Sequence, residues 1–228
     1  YFVKYDDYET LQPQIPTQLY ISRYAESQAD APRIPKVIHH FEGDQGTGYF
    51  VMEYIKLSDP SPSDLPERTA EALKWLSGVP APSEHVMGPL GPGHIRHRFF
   101  KDNMAPLLFS SIKALELYID KVRPYLYFLK HPPSADIFSS EPLIFMQSDM
   151  DPSNFGVDNG GNTVLLDFGD IGLLPASFAI STMSLDDTFT AVAKFLGWSG
   201  SSNLASITVI SHCLWLASDP CLGASTCT

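Results

Sequence analysis

The first part of the chain contains three short stretches in which apolar and polar positions alternate, as they do in β-strands. These stretches are residues 1–5, which carry Lys4, residues 36–41 and residues 49–55. The segment 42–48 between the last two is rich in Gly, Asp and Gln, so the pattern predicts a hairpin.

Apolar residues at helical spacing dominate most of the remaining chain. Helices are predicted over residues 17–27, 67–76, 106–129 and from residue 178 onward. Pro124 is expected to kink or divide the third of these helices, because proline removes a backbone hydrogen bond. Residues 56–66 are polar and rich in proline, which predicts a linker between two lobes.

Further strand signals surround two polar loops in the second half of the chain. Residues 141–147 form a short apolar run, and residues 155–157 and 163–166 flank the turn-forming sequence Asp-Asn-Gly-Gly at 158–161. Together the patterns predict an α+β fold of two lobes. We expect a small, strand-rich N-terminal lobe over residues 1–57. A larger, mostly helical C-terminal lobe is expected over residues 58–228.

Composition and charge narrow the class of protein. The 228 residues are 44% hydrophobic and 18% charged, which is typical of a globular protein, and no apolar run approaches the roughly 18 residues of a membrane span. The net charge of −11 argues against nucleic acid as a partner. After Lys130 the only basic residue is Lys194, against ten carboxylates. Such a field attracts metal ions or a cationic small substrate, although charge alone does not separate these roles from solubility.

The three cysteines all lie in the last 16 residues of the chain. An odd, clustered set without a C-x-x-C spacing is typical neither of a disulfide framework nor of a zinc site. We therefore expect reduced thiols and a cytoplasmic protein. No signal peptide is visible, although the chain opens with Tyr1 rather than Met.

The densest polar cluster is the run at 147–154, Gln-Ser-Asp-Met-Asp-Pro-Ser-Asn, which is followed by Asp-Phe-Gly-Asp at 167–170. Both runs come directly after apolar strands. If the strands around residues 158–161 pair, the loops meet at one end of the hairpin, and Asp149, Asn154 and Asp167 converge. Two carboxylates and an amide oxygen are suitable ligands for Mg²⁺, which prefers one or two carboxylates plus substrate phosphates.

These motifs resemble those of a known family. D-x-x-x-x-N followed by an apolar strand and D-F-G is similar to the catalytic and metal-binding loops of the protein-kinase-like fold. The proline between Asp149 and Asn154 resembles the aminoglycoside phosphotransferase and choline kinase branch. Residues 167–175 also resemble that branch, residues 49–55 resemble its hinge strand, and residues 2–4 resemble its lysine-bearing strand.

The resemblance implies a phosphotransferase that moves the γ-phosphate of ATP to a hydroxyl of a small molecule, with Mg²⁺ bound to the nucleotide. It implies that Asp149 accepts or orients the proton of the acceptor hydroxyl, and that Asn154 and Asp167 hold the metal. The nucleotide would contact Lys4 and the hinge residues Met52, Glu53, Tyr54 and Ile55. The acidic C-terminal half suggests a cationic acceptor, such as an aminoglycoside or choline.

The chain departs from the family pattern at three places. Gln147 stands where the family has a histidine, and the candidate partner of Lys4 is the neutral Gln14 instead of a glutamate. No residues precede the strand of Lys4 that could form a glycine-rich phosphate loop, so we expect a truncated or a degenerate N-terminal lobe. A second hypothesis is therefore a catalytically impaired, pseudokinase-like module that binds a nucleotide or a partner.

Several single residues have a simpler interpretation. Asp151 and Asp170 are expected to be loop or rim acids, with a second Mg²⁺ or a cationic substrate as the alternative. His94 and His97 lie three residues apart without a visible third ligand, which favours a basic loop over a metal site. Glu53 is most simply an exposed polar residue of an alternating strand.

Overall fold

The computed structural model describes residues 1–84, 87–126, 138, 141–183, 189–197, 203–217, 219 and 221–222. Mixed strands and helices form a small strand-rich N-terminal lobe and a larger, mostly helical part, so the predicted fold class is confirmed. The division between residues 57 and 58 stays a prediction.

The N-terminal lobe is a three-stranded antiparallel sheet with two helices packed against it. Strand β1 (Phe2–Asp7), helix α1 (Tyr8–Leu11), helix α2 (Gln14–Ala25), strand β2 (Val37–Glu42) and strand β3 (Thr47–Met52) follow in this order. The sheet order is β1-β3-β2, so the predicted hairpin forms and β1 occupies an edge. A small core of buried apolar side chains from α1, α2 and β3 joins the sheet to the helices: Leu11, Ile15, Phe50 and Met52.

The C-terminal part is built from five helices and two two-stranded sheets within the described residues. The helices are α3 (Leu65–Ser77), α4 (Ile112–Asp120), α5 (Ala176–Met183), α6 (Thr190–Leu196) and α7 (Leu204–Leu216). The strands are β4 (Leu143–Gln147), β5 (Phe155–Val157), β6 (Thr163–Leu165) and β7 (Ile171–Pro175). Strand β4 pairs with β7 and β5 pairs with β6, both antiparallel, so the predicted hairpin around residues 158–161 is confirmed.

Two elements differ from the sequence-based expectation. The helix predicted over 106–129 is shorter, because Ser111 caps its start by accepting a hydrogen bond from Ala114 N at 3.1 Å. A short 3₁₀ turn, Arg123–Leu126, follows α4 and contains Pro124, and residues 127–129 lie outside the described residues. Strand β7 was not predicted at all, although all five of its residues are buried.

The two cysteines within the described residues differ in their bonding. Cys213 is free, but Cys221 is disulfide-bonded, so the expectation of three reduced thiols is wrong.

No helix within the described residues combines the length and the apolar character needed to cross a bilayer.

Arg33 joins the N-terminal sheet to the hairpin of the C-terminal part. Its guanidinium forms ion pairs with Glu53, just after β3, and with Asp158, in the β5–β6 turn. Its main chain also pairs with the hairpin, since Arg33 N donates to Thr163 O at 2.7 Å and Leu165 N donates to Arg33 O at 3.0 Å. Glu53 is therefore an ion-pair partner, which corrects its interpretation as an exposed polar residue of an alternating strand.

Asp158 is buried and accepts hydrogen bonds from several groups at once. Gly160 N and Asn162 N donate to its Oδ1 at 2.8 and 2.9 Å, and Asn162 Nδ2 and Arg33 also donate to the carboxylate. Burial alone would raise the pKa of Asp158, but these hydrogen bonds outweigh it and hold the pKa well below its usual range. The ionised carboxylate is therefore stabilised by the fold.

This environment predicts how stability depends on pH. Asp158→Asn should lower the free energy of unfolding by about 2 kcal/mol at neutral pH, because hydrogen bonds to a charged group are lost. A carboxylate with a depressed pKa stabilises the fold above its unfolded pKa of about 3.9 and loses that contribution as the pH falls further. Urea unfolding between pH 3 and pH 7 should therefore show the two proteins converging below about pH 4.

The exposed residue Asp44 provides the control for this experiment, since Asp44→Asn should leave the pH profile unchanged. A constant difference between wild type and Asp158→Asn across the whole pH range would contradict the assignment.

Candidate active site

The two polar loops lie side by side because β4 pairs with β7. Gln147, the last residue of β4, is opposite Ile171, the first residue of β7. Beyond the strands, Ser148 N donates to Asp170 O at 3.0 Å. The loop after β4 and the loop before β7 therefore leave the sheet together, at the same end.

Gln147 connects these two loops through its side chain. Its Nε2 donates to Asp167 O at 2.7 Å, and its Oε1 accepts from Asp149 N at 3.2 Å. The side chain is buried, so these hydrogen bonds are shielded from competing water. A neutral amide thus bridges the loops of Asp149 and Asp167 at the position where the family pattern has a histidine.

Asp149 and Asn154 are in direct contact. Asn154 Nδ2 donates to Asp149 O at 3.0 Å and to Asp149 Oδ2 at 3.1 Å. The short turn between them is closed by Asp151, whose Oδ1 accepts from Ser153 N and from Ser153 Oγ at 2.8 and 2.7 Å. These hydrogen bonds lower the pKa of Asp151 and give it a turn-forming role at the rim of the site.

Asp167 is held in an unusual backbone conformation by its own loop. Its φ of 47° is in the left-handed region, and its Oδ1 accepts from Gly169 N at 3.0 Å. Lys4 Nζ lies 2.8 Å from the same oxygen. Burial opposes ionisation of Asp167, but the charge and hydrogen bond of Lys4 and the amide of Gly169 together lower its pKa. Asp167 is therefore a carboxylate at neutral pH.

Lys4 extends from β1 to the loop of Asp167. In addition to Asp167 it contacts Gln14 on α2, since Lys4 Nζ donates to Gln14 Oε1 at 3.3 Å. The neutral partner expected from the sequence is therefore present, and Asp167 supplies the negative charge that Gln14 lacks. An ammonium held between two elements is well placed to contact an anion in the cleft.

The side-chain oxygen atoms of Asp167 and Asn154 suit the coordination of a magnesium ion that is bound together with a nucleotide. Asp167 Oδ2 and Asn154 Oδ1 accept no hydrogen bond from any described residue. No group of three or more His, Cys, Asp or Glu residues in the described ranges could hold a metal without further ligands. One carboxylate and one amide oxygen fit an ion whose remaining ligands are phosphate oxygens and waters.

A cavity of about 390 Å³ lies on the Lys4 side of these residues. All of the residues predicted to bind the nucleotide and the metal line it: Lys4, Met52, Glu53, Tyr54, Ile55, Asn154 and Asp167. Glu53 N donates to Lys36 O at 2.8 Å, whereas the amides of Tyr54 and Ile55 donate to no described residue. The hinge therefore presents free backbone donors beside an apolar cleft.

A second, smaller cavity of about 240 Å³ lies on the other side of Asp149. The described residues that line it are predominantly polar: His97, Arg98, Asn103, Ser148, Asp149, Met150, Asp151, Pro152 and Asp170. Asn154 and Asp149 touch each other but line different cavities, so their hydrogen bond lies where the two cavities meet. Sequence reasoning identified Asp149 in this cavity but did not include Arg98 or Asn103, which lie on a loop without a recognisable motif.

His97 is a buried structural residue of this second cavity. Phe99 N donates to His97 Nδ1 at 3.0 Å, so His97 Nε2–H donates to Thr182 Oγ1 at 2.7 Å. Burial, with a smaller contribution from the nearby positive charge of Arg98, lowers the pKa of His97 to about 3, so the imidazole is neutral. His94 Nδ1 lies 2.7 Å from Ala105 O. Both histidines are engaged in hydrogen bonds, and the buried, neutral His97 does not contribute the positive charge of the basic loop that the sequence favoured.

The fold is shared with structurally characterised aminoglycoside phosphotransferases. A thermostable mutant of APH(4)-Ia in its apo form matches with a TM-score of 0.55 at 14% identity, covering 92% of this chain and 76% of that chain. The gentamicin complex of APH(2")-IIa matches with a TM-score of 0.52 at 14% identity, covering 92% and 73%. Comparison with curated protein sequences gives no significant match.

The family model described as the phosphotransferase enzyme family, APH, matches residues 1–195. That range includes both polar loops, the hinge and the strand of Lys4. The predicted family resemblance is thereby confirmed, and the chain belongs to the phosphotransferase enzyme family.

Proposed function

We propose that this protein transfers the γ-phosphoryl group of ATP to a hydroxyl of a small molecule. The observation that carries the proposal is the position of the Asp149–Asn154 contact between two cavities. One cavity has the groups for a nucleotide, the other has room for an acceptor, and the reacting atoms would meet at the boundary. Phosphoryl transfer depends mainly on such positioning and on charge neutralisation.

The larger cavity supports binding of the nucleotide. Its free amides at Tyr54 and Ile55 would pair with the base, and its apolar walls would cover the ring. Lys4 would contact the phosphates, once its ammonium is shared between Asp167 and the nucleotide. Structures of APH(4)-Ia in ternary complex with AMP-PNP and hygromycin B are among those with the same fold, which supports a nucleoside triphosphate as the donor.

Asn154 and Asp167 would hold Mg²⁺ on the phosphate oxygens. When bound, the ion neutralises the negative charge that develops on the transferring phosphoryl group. Asp167 suits this role, because it is ionised and one of its carboxylate oxygens has no donor among the described residues. Gln147 would keep the main chain of Asp167 and that of Asp149 at a constant separation during the reaction.

Asp149 would accept the proton of the acceptor hydroxyl or orient that hydroxyl toward the phosphorus. Its Oδ2 is held by Asn154, which limits the rotation of the carboxylate. The proposed acceptor is a small molecule with cationic character, because three aspartates line this cavity and the second half of the chain is strongly acidic.

A second candidate function is a kinase-like module that binds nucleotide without turnover. It is favoured by the contact of Lys4 with Asp167 and Gln14, which takes up the ammonium that would otherwise contact phosphates. Nucleotide binding and catalysis must therefore be measured separately.

The proposed function predicts a joint effect of the metal and the nucleotide on stability. ATP at about 100 times its Kd should stabilise the fold by about 2.7 kcal/mol, which corresponds to several degrees in Tm. The shift should be larger with Mg²⁺ than without it, because Asp167 and Asn154 bind the ion only together with phosphates. Differential scanning fluorimetry of the wild type and of Asp167→Asn tests this.

Asp167→Asn should lose the dependence on Mg²⁺, whereas Asp44→Asn, in the exposed β2–β3 turn, should keep it. An equal shift with and without Mg²⁺ in the wild type would exclude the proposed metal site.

A substitution of Asp149 separates catalysis from binding. Asp149→Ala should lower kcat by about 10²–10⁴-fold, the usual contribution of a general base, and leave the Mg·ATP affinity largely unchanged. A coupled assay of nucleotide turnover gives kcat, and titration calorimetry gives the affinity. Asp44→Ala serves as the control with unchanged kcat.

Persistent turnover in Asp149→Ala would show that the assignment of the catalytic acid is wrong. Nucleotide binding by the wild type without turnover of any acceptor would favour the module that only binds.

A further inference from the structure

The smaller cavity is lined by charges of both signs. Asp149, Asp151 and Asp170 contribute carboxylates, and Arg98 contributes a guanidinium. Arg96 reaches Asp170 at 3.7 Å, but Arg98 forms no ion pair within 4.0 Å with any described residue. Opposite charges therefore line the same space without neutralising each other.

The main chain at Arg98 is firmly anchored, although its side chain is exposed. Its carbonyl accepts from Trp215 Nε1 on α7 at 3.0 Å, and its neighbours His97 and Phe99 are buried. The hydrogen bond of His97 with Thr182 joins the same turn to α5. The guanidinium thus extends from a rigid turn, and none of its N–H groups donates to a described residue.

We propose that the acceptor is a small zwitterion, an amino acid with a side-chain hydroxyl. Its carboxylate binds Arg98, and its ammonium faces the aspartates. A guanidinium binds a carboxylate through two parallel hydrogen bonds, which a lysine cannot reproduce. This inference rests on the proposed function, because the hydroxyl of the zwitterion must reach Asp149 to be phosphorylated.

Size and charge both disfavour a larger polycation in this cavity. Its volume of about 240 Å³ is below the roughly 300–1,000 Å³ of pockets that hold drug-sized ligands. An unneutralised guanidinium also repels a second cation, so Arg98 discriminates against acceptors that carry positive charge alone. The acidic half of the site attracts the ammonium, and Arg98 then requires an anionic group on the same molecule.

Three matched probes test this inference by binding alone. They are 2-amino-4-hydroxybutanoate, 3-aminopropan-1-ol, which lacks the carboxylate, and 4-hydroxybutanoate, which lacks the ammonium. Titration calorimetry on the full chain should give the zwitterion a Kd at least about tenfold below those of the other two, because each of these lacks one of the two charged contacts.

Variants of Arg98 identify the group that binds the carboxylate. Arg98→Gln should raise the Kd of the zwitterion about tenfold or more and change that of 3-aminopropan-1-ol by less than about twofold. Arg98→Lys should restore part of the affinity. Arg23→Gln is the matched control, because Arg23 is an exposed arginine of α2 outside both cavities of the site.

Three binding results would overturn the inference. They are absence of binding by the zwitterion, equal or tighter binding of 3-aminopropan-1-ol, and an equal effect of Arg98→Gln on all three probes. Binding of the zwitterion without its phosphorylation in the presence of Mg·ATP would contradict its assignment as the acceptor, whereas absence of Mg·ATP turnover with every hydroxyl compound tested would refute the proposed function itself.

Discussion

The antiparallel pairing of β4 with β7 is the constraint on which the site depends. It runs from Leu143 opposite Pro175 to Gln147 opposite Ile171, with most of these side chains buried between helices. Because the register places Gln147 and Ile171 opposite each other, the loops that carry Asp149 and Asp167 start from the same edge. A slip of one residue would turn every side chain of the strand to the other face, so the register also fixes which groups reach the cleft.

The cleft concentrates carboxylates, and the few basic residues near it offset them unequally. Lys4 lowers the pKa of Asp167 through its charge and its hydrogen bond. Asp170 shows the opposite shift: burial raises its pKa, and the nearby charges of Asp149 and Asp167 add to this, although Arg96 counteracts it. One aspartate is thus kept ionised, while its neighbour is the group that protonates more readily. A cation that enters the cleft would relieve this repulsion.

Sequence patterns predicted the elements that carry local signals. The hairpin of β5 and β6 follows from its Asp-Asn-Gly-Gly turn, where Gly161 has a positive φ of 82° that suits glycine. Strand β7 was not predicted from the sequence. Its five-residue apolar run includes Gly172, ends at Pro175 and lacks the alternation of apolar and polar residues that marks a half-buried strand. The ion pairs of Arg33 and the anchoring of the Arg98 carbonyl by Trp215 are contacts with distant segments, so no local pattern indicates them.

The two ion pairs of Arg33 connect the N-terminal lobe to the C-terminal part beside the larger cavity. Glu53 belongs to the hinge, and Asp158 belongs to the hairpin that begins directly after Asn154, so the two ion pairs tie the hinge to the loop of Asn154. The carboxylate of Asp158 is buried, and the main chain of Arg33 pairs with residues 163–165. Both features make this connection stronger than an exposed surface ion pair would be. The distance from the hinge to Asn154 is therefore set within the protein. In the proposed reaction, a nucleotide that reaches from the hinge to Asn154 would place its γ-phosphate at the boundary beside Asp149.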